Sequence, residues 1–574
     1  MTATAAPPIE SLPPTAEPGR AYPQDWPQRP WVLAALLAIA GLIEHQITAS
    51  TQTPALTALG VFVAVFALTL ALTLERVRTL WSAGFALAAG LTLGGIAWQL
   101  DLGGAGQDHP DYAFAAGVAA LLIAVPLFQA AHHAGSRRIE YPRVHFHVWN
   151  DIVTGVAAMA FVGLTWLLLW LMAALFNLIK LDFLEQLMRH GWFGWMVSGA
   201  AFGAALGILR ENETIIATLQ RVVMLVLTVL AVPLAVGLAV FLAALLVSGP
   251  EVLWQATKSA TPVLLACILG AFVLTNAVIR DSDAEESANP VLRIAALVLA
   301  LTMLPLALFA AVSTGLRIEQ YGLSPDRMWA LVVVAVACAY GLAYLASVVR
   351  GRGRGWAPFA RIANLRLAIG VSVIAALLAL PLLDFGAIAA RDQVARLASG
   401  RVTSETFDWS GLRWDFGPAG RRALERIVKN GTPEQRTAAK AALAETQRLY
   451  NRPPARKAGE ELSRNLEVVG GDPKLRAALL AHLSAQSSCR TRCVAIAARG
   501  PVAARQRIVL VEGSYREVLA YDPATGTIAD GFIGREAEVA PRAEELTATS
   551  RVEVRDVTRQ QIFVDGKPMG EPLP

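Results

Sequence analysis

Eleven stretches of this chain are each long and apolar enough to cross a lipid bilayer, and no other feature limits its architecture so strongly. A helix needs about 20 mostly apolar residues to cover a hydrocarbon core of about 30 Å. The stretches are 31–49, 54–74, 79–100, 113–131, 152–176, 193–209, 222–248, 261–279, 294–314, 328–349 and 367–389. Lipid offers no hydrogen bonds to the backbone, so spans of this kind fold as helices. Internal prolines (Pro126, Pro233, Pro305 and Pro381) are compatible with a bundle, because neighbouring helices re-satisfy the freed carbonyls. Composition agrees, with 17% charged residues against about 25% in a soluble chain.

Orientation follows from Lys and Arg in the short loops, which accumulate on the cytoplasmic side. One set of loops holds Arg76, Arg78, Arg137, Arg138, Arg143, Arg210, Arg221, Arg280 and Arg293. It ends with the run Arg350, Arg352, Arg354, Arg361 and Arg366. With Arg20 and Arg29 near the start, that side carries sixteen basic residues. The other side carries five: Lys180, Arg189, Lys258, Arg317 and Arg327. The richer side is predicted to be cytoplasmic. A single span, 367–389, then separates it from residues 390–574, which are expected outside the cytoplasm.

The first thirty residues are rich in Pro, Ala and Thr and read as a disordered tail on the cytoplasmic side. They lack the basic and short apolar regions of a cleaved signal. Residues 31–389 form the membrane bundle. The polar remainder is expected to be helical over 390–500 and a small antiparallel β subdomain over 501–574. Thr432-Pro433-Glu434 and Asp472-Pro473 each read as an N-cap followed by a first-turn proline. They open EQRTAAKAALAETQRLY and KLRAALLAHLSAQ, with NRPPARK (451–457) as a linker between them. QRIVLVE, YREVLAY, VEVRDV and QQIFVDGK read as strands. The fold class is therefore an all-α polytopic membrane bundle with a C-terminal soluble α+β domain.

Few residues stand out chemically. Glu44 and His45 lie inside the first span and Asp384 inside the last. Ionisable groups at depth suggest a proton or ion path, unless the first span is short and Glu44 already meets the outer interface. RIEQYGLSPDR (317–327) falls in an outer loop. Ser324-Pro325-Asp326 suits a helix N-terminus, while Glu319, Gln320, Tyr321 and Arg327 could form a recognition loop. His132, His133, His145 and His147 cluster after the fourth span, without the spacing of a known metal site. No metal and no cofactor are expected. GAAFGAALG sets Gly199, Gly203 and Gly207 on one helix face, suited to close approach of another helix of the same chain. Cys489 and Cys493, four apart in SSCRTRC, can come within disulfide range across one turn. In an exported domain such a bridge would persist; the rival reading is two free thiols in a loop. Cys267 and Cys338 lie inside spans.

YPRVHFHVWND (141–151), LTWLLLWLMAALFNLIKLDF (164–183), NAVIRD (276–281) and RIEQYGLSPDR follow one another in an order with a known counterpart. Over about residues 140–350 the chain resembles the bacterial inner-membrane family catalogued as domain of unknown function 4153. The resemblance implies a polytopic inner-membrane protein, and it implies no reaction and no catalytic residue.

The small, scattered net charge of +5 gives no sign of nucleic-acid binding. No Gly-rich phosphate loop, nucleophile elbow or paired carboxylates appear, and His482 is the tail's only histidine. A non-enzymatic envelope protein, embedded in the bilayer and engaging another envelope component through its C-terminal domain, ranks first. A transporter or channel using Glu44, His45 and Asp384 ranks second, and an envelope-modifying enzyme third.

Overall fold

The computed structural model describes residues 26–51, 53–102, 111–134, 139–249, 260–446, 448, 462–469, 473–486, 489, 492–499, 506–512, 515–523, 525–530, 560–564 and 567–573. Among these residues, eleven helices are long and apolar enough to span a membrane. They are α1 (Arg29–Ala49), α2 (Pro54–Thr73), α3 (Thr79–Leu102), α4 (Asp111–Ala134), α5 (Tyr141–Leu178), α7 (Gly191–Glu211), α8 (Glu213–Ser248), α9 (Thr261–Ile279), α10 (Pro290–Tyr321), α11 (Pro325–Arg350) and α12 (Ala357–Ala379). A short helix, α6 (Phe183–Arg189), bridges α5 and α7.

Three boundaries differ from the sequence expectation. Helix α5 starts at Tyr141 rather than 152, because Pro142 opens it and its polar first turns pack among other helices. Helix α8 likewise starts at Glu213 rather than 222. The last span is Ala357–Ala379 rather than 367–389. Pro358 supplies its first turn, and the chain leaves helix just before Pro381, whose ring and missing N–H oppose continuation. Pro126, Pro233 and Pro305 do lie inside helices.

The largest core is a layer of Ala, Leu and Met from α8 to α11, closed by Trp356 and the start of α12. A second centre is the pairing of α1 with α7, where glycine brings backbone onto backbone. A Cβ at Gly199 would lie 2.2 Å from the Leu37 carbonyl oxygen, and one at Gly203 the same distance from that of Leu33. Gly207 meets Pro30, and Gly41 returns the fit against Trp195. The internal partner of the glycine face is thus the first span.

Contacts between loops sort the connections to two ends of the bundle. At one end Trp26 and Arg29 meet Glu211, Arg78 meets the His132 carbonyl, and Arg293 meets that of Arg354. These are the arginine-rich connections. At the other end His45 packs on Gly191, and the turn after α10 meets α13 (Phe385–Ala398).

The chain divides into two compact units, 1–401 with 411–444, and 402–410 with 445–574. The first also contains α13, most of α14 (Trp409–Trp414), α15 (Gly417–Asn430) and α16 (Pro433–Ala444). Thr432 and Gln435 cap α16 reciprocally: each side chain accepts the other's backbone N–H.

In the second unit, β1 (Leu466–Val469), α17 (Pro473–Gln486) and β2 (Cys493–Arg499) form a parallel crossover. Antiparallel β3 (Gln506–Glu512), β4 (Tyr515–Asp522) and β5 (Thr527–Asp530) extend the sheet in order 1-2-3-4-5. Leu475, Leu479 and Leu483 of α17 bury against Ala495, Ile508, Leu510 and Leu519. The hairpin β6 (Gln560–Val564) and β7 (Lys567–Leu573) is separate. The expected helical stretch to residue 500 is thus interrupted by two strands, and the sheet is mixed rather than purely antiparallel. Strand β2 buries Cys493, Val494 and Ala495 in succession, on both faces, so it lacks the polar alternation that marks a half-exposed strand. VEVRDV and NRPPARK lie outside the described residues.

Candidate functional site

Two polar clusters are built into the arginine-rich end of the bundle. The first joins α5, α9, α11 and α12 through uncharged groups. Asn276, three residues from the end of α9, donates to the Tyr344 hydroxyl at 2.7 Å and to the Phe272 carbonyl at 2.8 Å. Its oxygen accepts from Asn364 Nδ2 at 2.7 Å and from the Tyr141 hydroxyl at 3.3 Å. His145 Nδ1 lies 3.3 Å from that same hydroxyl. Tyr344 is wholly buried, and Asn276 and Asn364 nearly so.

One turn before Asn364, the buried guanidinium of Arg361 locks the α9–α10 connection. It donates to the carbonyls of Ile279 (2.6 Å), Ser282 (2.9 Å) and Arg280 (3.2 Å), and it pairs with Asp283 and Glu286. A cation that collects the last carbonyls of α9 also complements the negative end of that helix.

The second cluster is charged and gathers α1, α2, α4, α5 and α7. Arg29 pairs with Glu211 at 3.1 Å, and the backbone N–H of Trp26 donates to the same carboxylate. Arg210 reaches Glu75 at 3.9 Å and donates to the Ala71 carbonyl at 2.8 Å. Gln129 donates both to the Leu72 carbonyl (3.0 Å) and to Asp151 Oδ1 (3.2 Å).

The groups singled out in the sequence fall elsewhere. Glu44 faces α2, with Oε2 3.1 Å from where a Cβ on Gly60 would stand. His45 turns to Gly191 at the start of α7. Asp384 is not within a span: it is the N-cap of α13, accepting the Ala387 N–H at 2.8 Å. Among the described residues no hydrogen bond or ion pair joins any two of the three.

In the turn 319–323 the backbone is engaged by α13. Gln393 donates to the Tyr321 and Leu323 carbonyls, Arg396 to those of Glu319 and Gln320, and Asp392 accepts the Leu323 N–H. Arg327 donates to the Gly322 carbonyl and lies over the Tyr321 ring. The side chains of Glu319, Gln320 and Tyr321 stay exposed. Ser324 caps α11 through the Arg327 N–H.

His145 and His147 belong to the first turns of α5 rather than to a loop. Among the described residues no three His, Cys, Asp or Glu side chains gather as metal ligands. Cys489 and Cys493 are joined by a disulfide with Cα atoms 5.6 Å apart, buried in the core of the second unit.

In the sequence Arg29, Arg210 and Arg361 register only as loop charges, and Asn276, Asn364, Gln129 and Asp151 do not stand out. The available signal was polar side chains at the edges of apolar runs, two of them inside the quoted motifs NAVIRD and YPRVHFHVWND. The model of one sequence family, described as a domain of unknown function (DUF4153), matches residues 31–427. No curated protein and no solved structure matches the chain.

Proposed function

The chain belongs to the family described as domain of unknown function 4153, and from that premise we propose that it is a multi-pass inner-membrane protein of the bacterial envelope, non-enzymatic, whose second unit works outside the cytoplasm by engaging another envelope component. The observation that carries this reading is the Cys489–Cys493 disulfide inside that unit's core. Disulfides persist in oxidising compartments and are rare where thiols are kept reduced. The bias of arginine to the connections at one end of the bundle supports the same orientation. The exposed Glu319, Gln320 and Tyr321 side chains would then face the same compartment.

A reporter active only outside the cytosol tests the orientation. Fused after residue 574 it is expected to be active, and fused at Gly353 inactive. The reverse pattern sinks the reading. Cross-linking from the second unit in intact cells then identifies the envelope component, and a unit that cross-links to nothing but lipid removes the interaction role.

A second reading, a transporter or channel, is favoured by the polar clusters inside the bundle. It rests on them rather than on Glu44, His45 and Asp384 acting together, since these serve three different contacts.

A further inference from the structure

Helices α3 and α4 share a core only at the end away from the arginines, around Leu93, Ile96 and Phe114. Toward the arginine-rich end they leave a cavity of about 370 Å³, lined by Leu80, Trp81, Gly84, Phe85 and Phe128. Phe85 and Phe128, both half-buried, stack with ring centroids 4.2 Å apart and make its inner wall. Leu80 and Trp81, 85% and 69% exposed, stand at its open side. Gly84 keeps it clear, since a Cβ there would meet nothing within 4 Å. Clefts that hold small molecules span about 300–1,000 Å³, so this one has room for a ligand, and every residue lining it is apolar.

Positive charge stands at the mouth. Arg78, just before α3, donates to the His132 carbonyl at 3.3 Å. His132 lies one turn beyond Phe128 and stacks on it with centroids 5.4 Å apart, so the aromatic wall runs up to the guanidinium. That bond is the only one Arg78 makes among the described residues, which leaves most of its five N–H groups unused. Arg76 is exposed and makes no hydrogen bond or ion pair among them. Trp81 suits the level of the lipid headgroups, where tryptophan collects in membrane proteins.

An apolar cleft beneath two cations matches the two halves of an amphiphile. A soluble anion has no use for the cleft, and a neutral hydrophobe has none for the arginines. Basic pockets between membrane helices hold anionic headgroups. We propose that the α3–α4 cleft binds one anionic phospholipid, with an acyl chain against Phe85 and Phe128 and the phosphate on Arg78 and Arg76. The lipid belongs to the leaflet at the arginine-rich end, whichever compartment that end faces, and it fills the gap that α3 and α4 leave between them.

Native mass spectrometry of the purified, delipidated full chain tests this, with phosphatidylglycerol or phosphatidylcholine of equal chain length as the titrant. The first phosphatidylglycerol is expected to bind more tightly, by roughly fivefold for each arginine near the headgroup. Arg76→Gln combined with Arg78→Gln should bring the two lipids level. Gly84→Leu, which fills the cleft, should lower the occupancy of both several-fold, while Gly163→Leu, on an open face of α5, should match the wild type. Equal affinity of the wild type for the two lipids, or unchanged binding in Gly84→Leu, overturns the site. An adduct with the mass of a second chain or another protein, removed by Gly84→Leu, overturns it as well. Should the double arginine variant fail to fold, the wild-type headgroup preference and Gly84→Leu decide. None of these measurements involves the second unit, so the lipid site and the envelope role fail separately.

Discussion

Asn276 makes four hydrogen bonds, two given by its nitrogen and two accepted by its oxygen, which uses the full capacity of the amide. Each partner depends on it to a different degree. Tyr344→Phe removes one hydroxyl and leaves Asn276 still donating to the Phe272 carbonyl. Single hydrogen bonds inside membrane bundles are worth about 0.6 kcal/mol on average, and a loss of that order is expected. Asn276→Leu takes the 2.7 Å partner from the buried Asn364 amide and from the Tyr344 hydroxyl at once, leaving the amide only the Tyr141 hydroxyl at 3.5 Å, and buried polar groups weakened in this way cost up to about 1–3 kcal/mol each. Thermal unfolding of the two variants in detergent should rank Asn276→Leu well below Tyr344→Phe; equal midpoints would mean that the network is not closed as described. Little of this was legible beforehand. Asn276 is visible at the end of an apolar run, but its partners at 141, 344 and 364 come from three other helices, and linear order carries no trace of that meeting.

Most helices could be read directly, since apolar length alone defines them. Their ends could not. Pro381 was compatible with an internal kink, and only packing shows that α12 stops before it and that Asp384 starts a new helix. The glycine face of α7 was readable from its spacing of four, whereas its partner was not, because α1 carries Glu44 and His45 inside its apolar run and nothing in its sequence matches it to α7. The fit is steric and therefore testable. Gly203→Ala sets a Cβ 2.2 Å from a carbonyl oxygen, so α1 must shift. Overpacking of this kind costs about 1–3 kcal/mol. Gly237→Ala, which meets open space, is the control. A lowered unfolding midpoint and reduced monodisperse yield are expected for Gly203→Ala alone; matching behaviour of the two variants would refute the close pairing of α1 with α7.

For the molecule as a whole, a membrane part followed by a polar part was plain from where charge accumulates, and the content of the polar part only partly so. Strands β3 and β4 carry apolar runs rich in Val, Ile and Leu between polar ends and were read; β1 is only four residues long and β2 is an Ala-rich run buried on both faces, and these were not. The disulfide supplies a check on the compartment. Alkylation of freshly denatured membranes without reductant should label Cys267 and Cys338 only, and reductant should add Cys489 and Cys493. Labelling of the latter pair without reductant would remove the bridge and the argument built on it. The pairing of α1 with α7 also sets a timetable. About 140 residues separate Ala49 from Gly191, and at roughly 5–20 residues per second a ribosome takes on the order of 10–30 s to make them. Throughout that interval the first helix, with its glutamate and histidine, is already at the membrane and has no permanent neighbour on its glycine-matched side. The insertion machinery must shelter it until the seventh helix arrives.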